Sequence, residues 1–400
     1  MHLPDPARLI TALTAARRKL VIVATGGGSS AIPHLLTTPG ASAVVMEAMV
    51  PYARAALERL LGGPQETSCS TLTARRLAAA AWQRACLLEQ ADTGADHAVA
   101  AAQAVGVAVT ASLRTSRPKR GGHRVCVAVQ TLESTHVAEL MLEKEARTRA
   151  EEEMLAAALL FDVLIDAGGL AKACGREAVS GLRPGEQVVR DQVVAPPAWR
   201  ELLAGTRAVV PLHAAPETEA TPTAGGLVFP GSFNPLHEGH RLMARIAEEI
   251  AERPLAYEIS LLNVDKPLLD FIEIRDRAAQ FAGQRVWLTR AATFIDKIAV
   301  FPKSTFVMGA DTYVRLADPK YYGGSTAAAE AAVESIATQA RGLIVFGRAR
   351  QGVFEDASKL DAPQALRAVS YFVSQREFRL DISSTQLRHE AIECIQETNA

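Results

Sequence analysis

The stretch Phe229-Pro-Gly-Ser-Phe-Asn-Pro-Leu-His-Glu-Gly-His240 decides the fold of the second half of the chain. It leaves a short apolar strand candidate at Leu227–Phe229 and turns through Gly231 and Pro235. It then enters an amphipathic helix, one face of which is formed by Leu242, Ile246 and Ile250. A strand, a loop and a helix in this order begin a series of alternating β and α elements.

Further strand candidates follow this stretch, each separated from the next by a helical pattern. They lie near Tyr257–Leu262, Arg285–Thr289, Thr305–Met308 and Leu343–Phe346. Strands that alternate with crossover helices predict a parallel, doubly wound, Rossmann-like sheet covered on both faces. Ligands of such sheets bind at the carboxyl ends of the strands, at the topological switch point.

The loop after the first of these strands is a candidate phosphate site. In the stretch Pro230-Gly-Ser-Phe233, the backbone N–H groups of the three residues after the proline point away from the strand end, together with those of the helix N-terminus. There they can bond phosphate oxygens. His237 and His240 are three residues apart, so both imidazoles face the same bound anion. A zinc site is the competing interpretation, but no third or fourth ligand lies close by in the sequence.

Two later segments have the same character. Asp381-Ile-Ser-Ser-Thr-Gln-Leu-Arg388 offers hydroxyl groups for a helix N-terminus and, one turn later, a guanidinium for phosphates. Val307-Met-Gly-Ala-Asp-Thr312 ends a predicted strand, where the Asp311 carboxylate can bond ribose hydroxyls or simply cap a helix.

Together these segments resemble the nucleotidylyltransferase superfamily. The first is similar to its H-x-G-H signature, in the G-S-F-N-P form of nicotinamide or nicotinate mononucleotide adenylyltransferases; the others are similar to its G-A-D and I-S-S-T-x-x-R elements. The resemblance implies catalytic roles for His237, His240, Lys266 and Arg388. It implies nucleotide contacts from Pro230, Gly231, Ser232, Phe233, Gly309, Asp311, Ser383, Ser384 and Thr385. It implies acceptor contacts from Arg275, Trp287 and Thr289, although Trp287 can equally be a core residue.

The implied reaction is an in-line attack by an acceptor phosphate on the α-phosphorus of ATP, or of CTP, with release of pyrophosphate. The expected acceptor is a phosphorylated small molecule, most simply nicotinamide or nicotinate mononucleotide. Mg²⁺ is expected as a cofactor that arrives with the triphosphate and keeps water ligands, so no dedicated protein metal site is predicted. A different acceptor and a nucleotide sensor without catalysis remain alternatives.

The first half of the chain also reads as an α/β domain. Helices are predicted at residues 5–18, 51–62 and 71–90, strands at Leu20–Ala24, Ala43–Val50, Val105–Ala111 and Val125–Gln130, and a long helix at Thr135–Ile165. Its charged centre, Glu143–Glu153, is interpreted as a solvated face.

The Gly-turn after the first strand, the run Pro39–Ala43, Tyr52 and Leu61-Gly62 resemble the CinA C-terminal, nicotinamide mononucleotide deamidase, family. The family's nucleophilic serine is missing from Thr25-Gly-Gly-Gly28, and its lysine corresponds to Leu57. The resemblance therefore implies a degenerate domain, for dimerisation or ligand sensing. An amidohydrolase using Thr25 is the alternative, and Gly26–Gly28 is either an anion site or a plain turn.

Composition bounds the remaining expectations. With 43 basic and 44 acidic residues there is no electrostatic footprint for nucleic acid or an anionic membrane. The five cysteines form no C-x-x-C pair, and no apolar run reaches the ~20 residues of a membrane helix. We therefore expect a cytoplasmic protein. Assembly into a homo-oligomer through its first domain stays open. Its predicted parts are a deamidase-like domain at 1–165, a linker at 166–224 and a nucleotidylyltransferase domain at 225–400.

Overall fold

The computed structural model describes residues 3–116, 121–174, 179–213, 221–264, 267–350 and 353–378. The chain divides into two compact units, one of residues 1–206 with 265–274 and the other of residues 207–264 with 275–400. Each unit is a β-sheet flanked by helices, so the predicted α/β class is confirmed. No helix in the described ranges is both long and apolar enough to cross a membrane.

The first unit carries a six-stranded mixed sheet. Its strands are β1 Lys19–Thr25, β2 Val45–Met49, β3 Ala104–Ser112, β4 His123–Gln130, β5 Ser134–Leu142 and β6 Val188–Val194. Its helices are α1 Pro6–Ala15, α2 Ala31–Leu36, α3 Arg54–Leu60, α4 Thr71–Thr93, α5 His97–Gln103, α6 Arg149–Ala167, α7 Ala171–Cys174 and α8 Pro197–Ala204. The sheet order is β2-β1-β3-β4-β5-β6, in which β2, β1 and β3 run parallel and the strands from β3 to β6 antiparallel.

The long helix predicted at Thr135–Ile165 is wrong in its first half. Residues Ser134–Leu142 form β5, which pairs with β4 and β6, and the helix begins only at Arg149. The N-cap is Thr148, whose side chain and Glu151 form a reciprocal capping box. Pairing with a strand on each side explains why local helix propensity did not prevail over Ser134–Leu142.

The segment predicted as a linker at 166–224 contributes to both sheets. β6 lies at the edge of the first sheet, and β7, Val209–Pro211, lies at the edge of the second. Residues 265–274 of the second half also belong to the first unit, where buried Asp270 accepts a hydrogen bond from Arg75 at 2.7 Å. The units therefore do not follow the predicted boundaries.

The second unit carries a seven-stranded sheet in the order β15-β12-β11-β8-β9-β10-β7. After β7 its strands are β8 Leu227–Pro230, β9 Leu255–Ser260, β10 Val286–Thr289, β11 Thr305–Gly309, β12 Gly342–Phe346 and β15 Ser370–Val373. A separate hairpin is formed by β13 Arg348–Arg350 and β14 Val353–Glu355. The helices are α9 Glu238–Ala251, α11 Phe294–Val300, α12 Ala310–Arg315, α13 Thr326–Gln339 and α14 Gln364–Ala368, with α10 Phe271–Ala278, of which residues 275–278 belong to this unit.

The topology of this second sheet creates a switch point. All pairings from β15 to β10 are parallel, and only the edge strand β7 runs antiparallel. From β8 the chain first adds β9 and β10 on one side, and then β11, β12 and β15 on the other. The carboxyl ends of β8 and β11 are therefore neighbours at the point where the strand order reverses, which is where such sheets bind ligands.

Candidate active site

The loop that follows β8 lies at this switch point and is tied to the next strand. Pro230 pairs with Glu258 in β9, and the N–H of Gly231 donates to the Glu258 carbonyl at 3.0 Å. The chain then turns, and α9 begins directly after His237. The predicted strand, loop and helix are all present in the predicted order.

Phe233 fixes the shape of the loop from inside. Its backbone has a φ of 44°, and its ring, 1% exposed, packs against Phe229, Tyr257 and Phe281. A Cβ on Gly231 would lie 2.5 Å from this ring, so a glycine is required there. The side chain of Phe233 is thus part of the core, and a role in nucleotide binding is left to its backbone. Ser232 is exposed.

His237 and His240 lie together at the N-terminus of α9. Their rings are stacked, with centroids 3.7 Å apart and planes inclined by 22°. The backbone N–H of His237 donates to Nδ1 of His240 at 3.3 Å. Nδ1 of His237 is buried and has no hydrogen-bond partner among the residues that the structure describes. The spacing in the sequence therefore brought both imidazoles to one face, as predicted.

The environment keeps both imidazoles neutral in the free protein. Burial lowers the pKa of His237, and burial together with the neighbouring His237 lowers the pKa of His240 to about 3. Proton binding is disfavoured because a charged ring would be desolvated and would face a second ring of the same tendency. An anionic ligand beside the two rings would reverse this balance, since its negative charge favours the protonated imidazole. The positive end of the α9 dipole adds to the same attraction.

Two side chains hold the loop, Arg277 from the last turn of α10 and Gln280 from just after that helix, and neither was predicted from the sequence. Gln280 accepts from the N–H of Leu236 at 2.7 Å. Arg277, 7% exposed, donates through Nη1 to the carbonyl of Ser232 at 2.9 Å. The predicted acceptor contact Arg275 is instead exposed and bonds Asp276 at 2.8 Å. The cation that contacts the loop is two residues further along the helix.

A buried ion pair lies beneath the loop. Glu258 is 0% exposed, and both of its carboxylate oxygens accept from Nζ of Lys297, at 2.9 and 2.8 Å. The hydroxyl of Thr289 donates to the same carboxylate. Thr289, predicted as an acceptor contact, is itself fully buried, so its hydroxyl serves this network. Neither Glu258 nor Lys297 belongs to a motif recognised in the sequence.

The G-A-D segment lies at the adjacent strand end. Gly309 is the last residue of β11 and caps α12, and Asp311 lies in the first turn of that helix. Both carboxylate oxygens of Asp311 contact the guanidinium of Arg348, which also bonds Glu355 at 2.7 Å. A ribose hydroxyl that bonded Asp311 would therefore have to share the carboxylate oxygens with Arg348. The sequence analysis did not single out Arg348.

The remaining predicted residues divide into two groups. Trp287 is 5% exposed and belongs to the apolar core, so the core interpretation of this residue is the one the structure favours. Lys266, Ser383, Ser384, Thr385 and Arg388 lie outside the described residues. Among the described residues, no three His, Cys, Asp or Glu side chains are grouped as ligands of a metal ion. The donors around the loop are imidazoles and N–H groups, which suit phosphate and not Mg²⁺.

The glycine turn of the first unit is filled by the protein itself. Gly26 has a φ of +73°, and a Cβ there would lie 2.0 Å from the carbonyl oxygen of Ala111. Glu153 accepts from the N–H of Ser30 at 3.0 Å and from the hydroxyl of Ser29 at 3.2 Å. Because the chain's own carboxylate takes these donors, the turn interpretation is favoured over an anion site.

Thr25, the only candidate nucleophile of that turn, is equally engaged. Its hydroxyl is buried and donates to the carbonyl of Pro51 at 3.0 Å. Leu57, at the position of the family's lysine, is 2% exposed and cannot act as a base.

The parallel sheet with its switch point forms a nucleotidyltransferase-like α/β domain. The family model described as cytidylyltransferase-like matches residues 228–390, the segment that contains all of these features. This match supports a nucleotidyltransferase-type activity for the second unit. No curated protein matches the chain.

Solved structures similar to the N-terminal part belong to the CinA superfamily. The CinA superfamily protein of Escherichia coli is 16% identical, over 40% of this chain and 87% of that chain, with a TM-score of 0.32. The competence/damage inducible protein CihA of Agrobacterium tumefaciens is 20% identical, over 42% and 98%, with a TM-score of 0.31. The competence or damage-inducible protein of Enterobacter asburiae is 18% identical, over 41% and 95%, also with a TM-score of 0.31.

Proposed function

We propose that the second unit transfers AMP from ATP to the phosphate of nicotinamide or nicotinate mononucleotide and releases pyrophosphate, a step of NAD synthesis. The observation that carries the proposal is the stacked pair His237 and His240 at the N-terminus of α9, with an unsatisfied Nδ1 on His237 among the described residues. Two such imidazoles and a helix N-terminus attract the negative charge of a triphosphate.

In the proposed reaction, a phosphate oxygen of the acceptor attacks the α-phosphorus in line. The new P–O bond forms as the bond between the α-phosphorus and the bridging oxygen breaks, and pyrophosphate leaves with the electron pair. No covalent enzyme intermediate is needed. The imidazoles donate hydrogen bonds to the phosphate oxygens, whose charge grows as the bond breaks, and the loop holds the two substrates in line.

Magnesium enters this scheme as part of the substrate. The described residues supply no carboxylate cage near the loop, so the nucleotide is proposed to bind as its magnesium complex, with water and phosphate oxygens as ligands.

The test is pyrophosphate release by the full chain with Mg²⁺, using each combination of ATP or CTP with nicotinamide or nicotinate mononucleotide. We expect release with ATP and one of the mononucleotides, and a loss of about 10²-fold or more in kcat for His240→Ala. The matched control is His213→Ala, which removes an exposed histidine of the same unit.

Each other result has a defined meaning. Release with CTP in place of ATP would transfer the proposal to a cytidylyltransferase, the activity after which the matching family model is described. ATP binding without release for any pair would overturn the proposed acceptor. Equal activity of His240→Ala and His213→Ala would overturn the role of the histidine pair.

A further inference from the structure

A cavity lies in the same unit, at the opposite end of the sheet from the histidine pair. Its volume is about 490 Å³, and it is lined by the first residues of β8 and β9, by Arg285 just before β10, and by one face of α9. His237 and His240 follow the carboxyl end of β8, whereas Leu227 and Leu255 begin their strands. This volume is in the range of sites for small organic ligands.

The charged residues of the cavity are predominantly basic. Arg241, Arg245 and Glu248 are spaced along one face of α9, and Arg285 completes the set. Glu248 is engaged, because its Oε1 accepts from the N–H of Leu255 at 2.8 Å. Three guanidinium groups against one carboxylate leave a local positive charge in a chain whose net charge is −1. The cavity is therefore suited to an anion.

Two of these arginines keep donors for a ligand. Arg241 makes a long hydrogen bond of 3.4 Å to the carbonyl of Gln280. Arg245 has no hydrogen bond or ion pair with any other residue in the described part of the chain. Guanidinium donors bind phosphate or carboxylate in a bidentate manner.

The cavity also contains a buried acceptor atom whose hydrogen-bonding capacity is unused among the described residues. Oε1 of Gln284 is buried and accepts no hydrogen bond from the residues that the structure describes. A buried acceptor without a donor is unfavourable, so a ligand with a hydroxyl or amino group is favoured here. Tyr257, Trp287 and Phe301 supply aromatic surface to the same wall, which suits a planar ring.

We infer that this cavity binds a nucleoside monophosphate, at a site separate from the triphosphate loop. The phosphate lies against Arg241 and Arg245, a hydroxyl or amino group donates to Gln284, and the base contacts the aromatic wall. The inference does not depend on the transfer reaction, because none of these residues belongs to the loop or the histidine pair.

The experiment is calorimetric titration of the full-length chain with AMP, adenosine and inorganic phosphate. AMP binding is measured in the His240→Ala background, so that the triphosphate loop is impaired and the second site is observed. We expect Arg245→Glu to weaken this binding by about tenfold or more, the effect of losing one charge-assisted contact. Arg341→Glu, the same charge change at an exposed arginine of this unit, is expected to have no effect.

Two results would overturn the inference: AMP binding that is unchanged by Arg245→Glu, and the absence of AMP binding both to the unaltered chain and to His240→Ala. Phosphate that binds as tightly as AMP would eliminate the role of the ring, and adenosine that binds as tightly would eliminate the role of the anion. Failure of the transferase assay leaves this result unaffected, so the two proposals are tested separately.

Discussion

The substitution Lys297→Met tests the buried ion pair that lies beneath the nucleotide loop. It removes both charged hydrogen bonds of Glu258, at 2.9 and 2.8 Å, and leaves a carboxylate that is 0% exposed with the Thr289 hydroxyl as its donor. Breaking a buried pair by removing one partner costs about 3–5 kcal/mol, because the remaining charge stays desolvated. Methionine has nearly the helix propensity of lysine, so α11 itself is little affected.

The quantity to measure is the free energy of local opening around the ion pair, and not that of global unfolding, since a chain of two units need not unfold in one transition. Hydrogen exchange of the amides of β9 and β10 reports the opening of this region in the intact chain. A loss of about 3–5 kcal/mol corresponds to exchange faster by about 10²- to 10³·⁵-fold, at 1.4 kcal/mol for each factor of ten. The amide of Gly231 should follow, because its partner is the Glu258 carbonyl.

Two further variants separate the charge from the packing. Lys303→Met changes an exposed lysine of the same unit, and we expect less than about 0.5 kcal/mol. Glu258→Gln combined with Lys297→Met removes the unpaired charge, so the double variant should be more stable than Lys297→Met alone. A change below about 1 kcal/mol in Lys297→Met, or a double variant that is no more stable, would refute the assigned role of the pair.

Three other predictions concern the loop itself. The pKa of His240 is lowered to about 3 in the folded protein, so the unfolded chain binds this proton more readily, and stability should fall as the pH drops from about 6.5 towards 3. His240→Asn should reduce the slope of unfolding free energy against pH by up to about 1.4 kcal/mol per pH unit, measured by pH-dependent unfolding. Gly231→Ala forces a methyl group against the Phe233 ring and should destabilise the loop by about 1–3 kcal/mol, visible as faster exchange of its amides. Arg277→Met removes the donor to the Ser232 carbonyl, and we expect a loss of about 1.5–3 kcal/mol in loop stability and a raised KM for the nucleotide in steady-state assays.

The pattern of apolar residues in the sequence was sufficient to predict most strands of the second sheet. The strands at β8, β9, β10, β11 and β12 were predicted within a few residues, because each is a short apolar run between helical segments. The edge strands β7 and β15 were missed. Each has three or four residues and one neighbour, so neither gives a clear pattern in the sequence.

The error at β5 has a different origin. The segment Ser134–Leu142 has apolar residues at spacings that fit either a helix or a strand, and a strongly helical segment follows it. Its strand state depends on β4 and β6, and β6 lies some 50 residues later in the chain. Pairing over that separation is not encoded in a local window.

The same distinction separates what was found at the site from what was missed. His237 and His240 were found because one helical turn brings them together, so their geometry is local in the sequence. Arg277, Glu258, Lys297 and Arg348 reach the loop and the G-A-D segment only through the order of strands in the sheet. In the sequence Arg277, Lys297 and Arg348 are ordinary charged residues. Glu258 differs, because it follows a tyrosine in an apolar strand, and in the structure it is 0% exposed. A charge inside an apolar strand is thus the one local signal that would have pointed to this network, because such a charge is retained in a core only when a partner reaches it.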